Sequence, residues 1–254
     1  MNQENRHKAI LSAVEVQGTV RVAELAKQLD VTEMTIRRDL GYLERQGLLK
    51  RVHGGGISAR GRNYEPTLQF RQTEHIAEKQ LIARTAADLI KDGDFIALDV
   101  GSTTYELARC LVGRHNLTVI TPSLQIANIL SNQPGLQLIL PGGIVRLGET
   151  SMIGQLSHRA FEMFHVDRLF LGVGGIDLQA GLTEYNWDDT LVKHAMLKTA
   201  KQVIALIDSS KFERIATVKI ALLESLDVLV TDQEPPVMLA EALYKAGVEV
   251  IVAQ

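Results

Sequence analysis

The stretch Val31-Thr32-Glu33-Met34-Thr35-Ile36-Arg37-Arg38-Asp39-Leu40-Gly41-Tyr42-Leu43-Glu44-Arg45-Gln46-Gly47 decides how the first quarter of the chain is read. Thr32 suits the N-cap of a helix, Ile36, Leu40 and Leu43 fall on one helical face, and Gly47 supplies a C-terminal stop. With those apolar side chains turned inward, Thr35, Arg38, Tyr42 and Arg45 stand on the opposite side and Arg37 on the flank. Gly41 in mid-helix costs about 1 kcal/mol relative to Ala, which suits either a close backbone approach or simple tolerance.

Upstream, Ala9, Ile10, Ala13 and Val14 recur at helical spacing until Gly18, and Val22, Leu25, Ala26 and Leu29 repeat the pattern. Downstream, apolar residues alternate through Leu49-Lys50-Arg51-Val52-His53 into Gly54-Gly55-Gly56. Three short helices followed by a basic, glycine-turned ribbon predict a winged helix-turn-helix. The exposed side of its third helix suits a major groove. Thr35, Arg37, Arg38, Tyr42 and Arg45 are therefore candidate DNA contacts, Arg being the best paired donor for guanine. Lys50, Arg51 and His53 are candidates for phosphate or minor-groove contact from the ribbon. Arg45, with Glu44 and Asp39 nearby, also suits a plain surface charge, and Asp39 is expected to tie down a neighbouring Arg rather than touch DNA.

Charge at first argues the other way. The 254 residues carry 27 Lys+Arg against 30 Asp+Glu, a net charge of -3, which taken whole is unlike a nucleic-acid binder. Residues 1–62, however, hold 11 basic and 7 acidic residues, leaving 16 and 23 for the remainder. A basic head is thus averaged with an acidic body. Apolar content of 46%, with 6 Pro and 20 Gly, excludes disorder and collagen-like repeats. No apolar run reaches the eighteen or so residues of a membrane span. Met1 to Ile10, with Glu4, Arg6, His7 and Lys8, lead into no apolar core of signal-peptide type, so a cytoplasmic protein is expected. The single cysteine, Cys110, forms no internal disulfide and fits a reducing compartment.

The pattern changes near residue 60. Ser58 to Thr73 shows no clear period. Beyond it, apolar runs at Phe95–Leu98, Leu117–Ile120, Leu136–Leu140, Leu169–Val173, Val203–Ile207, Val228–Val230 and Val248–Val252 are mostly separated by amphipathic stretches of helical length. The fold class is α/β, with a mainly parallel sheet covered on both faces. The division is 1–57 for the winged helix-turn-helix, 58–75 for a linker and 76–254 for the α/β domain.

Ligands of parallel sheets collect at the carboxyl ends of the strands, where helix N-termini present free amides to anions. Gly101, Ser102, Thr103 and Thr104 follow one strand and open a helix. Thr121 and Ser123 repeat the arrangement around Pro122. Gly142 and Gly143 follow a third strand, and Gly174, Gly175 and Asp177 another. Four such turns suggest a pocket for a phosphorylated small molecule. Lys193 and Lys211 are candidate charge partners, and Glu184 and Asp208 candidate acceptors for sugar hydroxyls; an internal ion pair suits each of these four equally. No metal-ligand spacing, P-loop or distinctive nucleophile triad appears, so no cofactor, metal or catalytic residue is implied.

Certain stretches carry a family resemblance. Arg6-His7, Val20 to Ala26, Val31 to Leu40, Leu43 to Gly47 and His53-Gly54-Gly55-Gly56 resemble the N-terminal domain of the DeoR family of bacterial repressors. Residues 76–232 resemble its sensor domain, through Glu78-Lys79, Asp92-Gly93-Asp94, Gly101-Ser102-Thr103-Thr104, Pro141-Gly142-Gly143, Asp167 to Gly172, Gly175-Ile176-Asp177, Lys193 to Met196 and Asp208 to Phe212. Pro122 departs from the Asn common in the family. The resemblance implies a sensor fold similar to ribose-5-phosphate isomerase and the coenzyme A transferase group. It further implies a repressor of a carbohydrate-utilisation operon with two ligands, double-stranded operator DNA and a phosphorylated sugar. Association as a homodimer or homotetramer through residues 76–254 is expected, with effector binding relayed through the linker. The alternative is a sugar-phosphate isomerase or deaminase with an appended DNA-binding domain. For that chemistry Asp177 and Lys193 could be proposed, yet no spacing brings them together, and the regulator is the favoured reading.

Overall fold

The computed structural model describes residues 2–17, 19–58 and 65–254. Gly18, and residues 59–64 of the stretch without a clear period, lie outside the described residues. The chain divides into two compact units, residues 1–70 and 71–254.

The first unit contains α1 (Gln3–Gln17), β1 (Thr19–Arg21), α2 (Val22–Gln28), α3 (Glu33–Arg45), β2 (Leu49–Val52) and β3 (Gly55–Ser58). Thr32 caps α3, its hydroxyl accepting the Thr35 N–H at 3.2 Å. Gly47 ends it with φ +69°. Ile10 and Val14 of α1, Leu25 of α2, Ile36, Leu40 and Leu43 of α3 and Leu49 of β2 close one core. Each contributes roughly 1.5–3 kcal/mol by leaving water. The ribbon is three-stranded, in the antiparallel order β1-β3-β2. β1 is absent from the sequence reading because three residues are too few to show alternation. It explains the glycines: a side chain at Gly55 would strike the Val20 carbonyl oxygen, so only glycine lets β1 lie against β3.

The second unit begins within α4 (Leu68–Thr73), a helix of six residues whose length is too short to display a period in the stretch read as linker. There follow α5 (Ile76–Asp88), β4 (Phe95–Leu98), α6 (Ser102–Cys110), β5 (Leu117–Ile120), α7 (Leu124–Leu130), β6 (Leu136–Ile139), β7 (Ile144–Val145), β8 (Met152–Ile153), α8 (Gln155–Phe161) and β9 (Val166–Leu171). The chain continues through β10 (Gly175–Asp177), β11 (Gly181–Glu184), α9 (Trp187–Thr199), β12 (Ala200–Leu206), β13 (Val218–Ala221), β14 (Val228–Thr231), α10 (Val237–Lys245) and β15 (Glu249–Val252). Seven strands form one sheet in the order β15-β14-β12-β9-β4-β5-β6, parallel throughout. They correspond to the seven apolar runs of the sequence.

Alternate residues of these strands serve opposite faces. Ile96, Leu98, Phe170, Ile204 and Val230 pack with α5, α6 and α7. Ala97, Leu169, Leu171, Ala205 and Leu229 pack with α8, α9 and α10. The strand order has a functional consequence. The chain winds outward from β4 through β5 to β6, then returns to β9 beside β4 and winds the other way. Between β4 and β9 the connections diverge, and a crevice opens at the carboxyl ends of the strands. Two smaller antiparallel elements flank the sheet: β10-β11-β13 and the β7–β8 hairpin. Among the described residues no helix is long and apolar enough to cross a membrane.

Candidate functional sites

On α3 the inward face is buried, while Arg37, Arg38, Tyr42 and Arg45 are exposed and Thr35 is half-exposed. Thr35 shares a 3.0 Å hydroxyl contact with the cap Thr32, and Arg37 pairs with Glu33 at 3.1 Å. Tyr42 stacks on His7 with ring centroids 4.9 Å apart. Asp39, only 2% exposed, accepts Arg6 Nε at 2.5 Å and Nη2 at 3.1 Å, and lies 2.9 Å from His7 Nε2. Burial penalises its charge, but Arg6 and His7 outweigh burial and hold the carboxyl below its usual range. Asp39 thus fastens α1 to α3 and fixes the helix from behind. Lys50, Arg51 and His53 are all exposed on the ribbon. Gly41 lies beneath the guanidinium groups of Arg51 and Arg45, at 3.6 and 3.8 Å from where a Cβ would stand. A Cβ there would make ordinary van der Waals contact with both, so the position tolerates glycine without requiring it.

The crevice between β4 and β9 is a small cleft, open to solvent. Val100 to Thr103 line it from the end of β4, Gly172 and Val173 from β9, and Leu206, Asp208 and Lys211 from β12 and the turn beyond. Arg71 and Glu184 complete the wall. The first helical bond of α6 runs from Tyr105 N–H to Gly101 O at 3.0 Å. The amides of Ser102, Thr103 and Thr104 therefore lie ahead of the helical ladder, at the end where the dipole favours an anion. Thr104 itself is buried, its hydroxyl turned back to Gly101 O at 3.0 Å.

The charges divide into two groups. Lys193 lies within the unit, 2% exposed, donating to Asp99, to Glu184 Oε2 at 3.2 Å and to Gly172 O at 2.9 Å. Burial opposes its charge, but the carboxylates of Asp99 and Glu184 prevail and hold the ammonium above its ordinary value. Asp99 also accepts the Gly172 N–H at 3.0 Å, so the pair grips both sides of the β9 turn. Lys211 behaves differently: burial pushes it down to about 8, Asp208 opposing and Arg214, Arg71 and Lys79 assisting. Asp208 is drawn below the usual carboxylate range, the cost of its burial being exceeded by Lys211, by the Ser210 hydroxyl and by Lys79.

Of the residues predicted to meet a ligand, Gly101, Ser102, Thr103, Glu184 and Lys211 come together at this cleft. Lys193 stands behind it as an ion pair. Thr121 and Ser123 do not reach it; Ser123 caps α7, accepting the Ile126 N–H at 3.3 Å, and bridges to Ser151. Gly142 and Gly143 lead into the β7–β8 hairpin, where Gly143 abuts the Ile153 carbonyl. The ends of β5 and β6 are therefore covered by the protein's own hairpin. Gly174 packs 2.8 Å from Tyr185 and Gly175 against Arg214 O, measured from an added Cβ. Asp177 accepts the Gln179 and Ala180 N–H groups at 2.8 Å in a turn. It is not among the ion-pair partners of Lys193, which are Asp99 and Glu184. Arg71 and Asp99 were not singled out from sequence. Arg71 falls in the aperiodic stretch, whereas Asp99, a charge closing the apolar run Phe95–Leu98, carried a usable signal.

The DeoR-like helix-turn-helix domain matches residues 6–61 and the DeoR C-terminal sensor domain matches residues 74–233. The chain belongs to the DeoR family. This is a family of transcriptional repressors, and its member here is a regulator rather than an enzyme. A putative aga operon transcriptional repressor of Escherichia coli O157:H7 is 34% identical over 248 residues, covering 97% of this chain and 92% of that protein. The HTH-type transcriptional regulator GolR of Listeria innocua serovar 6a is 35% identical over 253 residues, with 98% of each covered. The glycerol-3-phosphate regulon repressor of Escherichia coli K12 is 33% identical over 243 residues, with 96% of each covered. Among solved structures, a ribose 5-phosphate isomerase A from Methanocaldococcus jannaschii aligns at TM-score 0.40 and 21% identity over 53% of each chain. The eIF2B beta chain of Chaetomium thermophilum aligns at 0.44 and 17%, over 67% of this chain and 54% of that one.

Proposed function

We propose that this DeoR-family repressor controls a carbohydrate-utilisation operon from the cytoplasm, and that a phosphorylated sugar or polyol bound in the β4/β9 cleft sets its affinity for DNA. The observation that carries the reading is the cleft itself: helix-terminal amides at Ser102 and Thr103 stand across from two cationic side chains, Arg71 and Lys211. That combination suits a phosphoryl group, which asks for convergent N–H donors and positive charge without bulk. Glu184 and Asp208 would accept sugar hydroxyls. The name of the glycerol-3-phosphate regulon repressor agrees with a phosphorylated polyol.

On the DNA side, Arg38 on the exposed face of α3 is the principal base reader, with Thr35, Arg37, Tyr42 and Arg45 around it and Lys50, Arg51 and His53 on flanking phosphates. A single recognition helix spans only a few base pairs, so two copies, held together through residues 76–254, would read repeated half-sites. Effector and operator then act on each other through a coupling free energy, typically about 1–3 kcal/mol. The test is a titration on the chain's own promoter at several salt concentrations. Arg38→Ala should cost about 1–3 kcal/mol with loss of sequence preference, and a phosphosugar that shifts the operator midpoint should cease to do so in Thr103→Glu, which sets a carboxylate over the amides of the cleft. Unchanged preference in the first variant would refute the recognition face; an unchanged shift in the second would refute the cleft.

A further inference from the structure

Arg71 differs from the other residues of the cleft wall in its place along the chain. It belongs to α4, the helix in which the chain passes from residues 1–70 to residues 71–254. Its guanidinium is paired with Glu149, a 5% exposed carboxylate in the loop between β7 and β8. Its carbonyl oxygen accepts Lys79 Nζ, and the same ammonium, 3% exposed, donates to Glu74 O at 2.6 Å. The next residue, Gln72, donates to Gln125 Oε1 at 2.6 Å. The end of α4 is thus strapped at three points, and in one of them, the Arg71–Glu149 pair, the arginine lines the cleft.

Electrostatics favours an anion at that wall. Arg71 and Lys211 both line it, and Arg71 and Lys79 lie near enough to disfavour the Lys211 charge, adding to the larger effect of burial. Glu149 is so placed that an incoming anion competes with it for the guanidinium fork. A neutral sugar offers nothing to set against a buried carboxylate, and a monoanion at best matches it. A dianionic phosphomonoester exceeds it in charge and presents three oxygens to the fork.

We propose that Arg71 is an exchange residue: a dianionic phosphoryl group in the cleft takes its guanidinium from Glu149, and the lost strap is felt at the helix leading to the DNA-binding unit. This rests on the reading of the cleft as the effector site. It adds the ion pair that the effector must displace and the point at which binding is converted into a signal.

The experiment uses the full chain with inorganic phosphate at pH 8 as probe, binding measured by calorimetry and the 68–73 segment followed by hydrogen exchange. Glu149→Gln should bind phosphate about tenfold more tightly, because no carboxylate need be displaced, and should show faster exchange at 70–73 before phosphate is added. Arg71→Ala should weaken binding, and in the Arg71→Ala, Glu149→Gln double variant the tenfold gain should vanish. A gain that persists without Arg71 would be a general charge effect and would overturn the exchange. So would phosphate binding in Glu149→Gln no tighter than in the unaltered protein. Should Arg71→Ala not fold, Arg71→Lys, which keeps the charge but loses the fork, must abolish most of the gain. Loss of phosphate binding in Thr103→Glu with full retention in Arg71→Ala would refute the exchange and leave the cleft; retention in both would refute the cleft as well.

Discussion

Replacing Lys193 with Met removes one member of a buried charge cluster while preserving volume. Lys193 and Asp99 are each 2% exposed, and Glu184 adds a second carboxylate 3.2 Å from the ammonium. In the variant the Asp99 and Glu184 carboxylates lose their shared ammonium, the Gly172 carbonyl loses its donor, and Asp99 keeps the backbone N–H groups of Gly172 and Val100. Breaking a buried pair by deleting one partner costs about 3–5 kcal/mol. For a unit of this size that corresponds to a fall in Tm of about 6–20 °C. Most of the helical residues belong to the sensor unit, so far-UV circular dichroism reports its unfolding. Urea melts followed in this way give the loss directly.

The pH dependence supplies a second check. Burial pushes Asp99 upward, and Lys193 is the first of the groups that offset it. Without that lysine the folded state holds a proton that the unfolded chain has released above about pH 4. Stability of the variant must then fall as pH rises through the elevated folded value, because the folded state binds more protons there. The deficit relative to the unaltered protein should be smaller at pH 5 than at pH 8. Adding Asp99→Asn to Lys193→Met should recover about 1–3 kcal/mol, since the amide still accepts from Gly172 without burying a charge. A deficit below about 1 kcal/mol, or one independent of pH, would refute the view that these groups are ionised and mutually dependent.

Two further outcomes follow from the same geometry. Asp39→Asn should destabilise the winged unit by about 2 kcal/mol through loss of the charged contacts to Arg6 and His7; the native contribution, carried by a depressed carboxyl, is present above the unfolded value near 4 and is lost as pH falls below it, which thermal melts from pH 3 to 7 would resolve. Lys211, pushed down to about 8 by burial, loses its charge above that pH, so phosphate affinity should decline by up to about tenfold per unit from pH 8 to 10 while Lys211→Arg remains flat; a wild-type profile as flat as the variant's would remove Lys211 from the anion site.

Much of the architecture was legible before any coordinates. The α3 face assignment follows from helical period alone: a helix with Ile36, Leu40 and Leu43 inside must carry Arg38 and Tyr42 outside. The seven parallel strands announced themselves as apolar runs, because a strand buried on both faces has no polar side to interrupt it. β1 and α4 stayed hidden, each shorter than the pattern by which its type is recognised.

The candidate effector site was legible only in its parts. Glycine and hydroxyl residues after a strand look alike whether they meet a ligand or the protein itself. Gly101-Ser102-Thr103 and Gly142-Gly143 could be separated only once the β7–β8 hairpin was seen over the ends of β5 and β6, leaving the β4/β9 ends open. Local chemistry along the chain determined which residues sit inside or outside each helix and strand, since period and side-chain polarity are properties of neighbours in sequence. Which turns share a cleft, which lysine is committed to an ion pair and which faces the opening, and that Arg71 belongs there at all, depend on strand order and on contacts between residues as far apart as Arg71 and Glu149. Those are set by the tertiary packing, because strand order and burial are properties of the assembled sheet rather than of any segment within it.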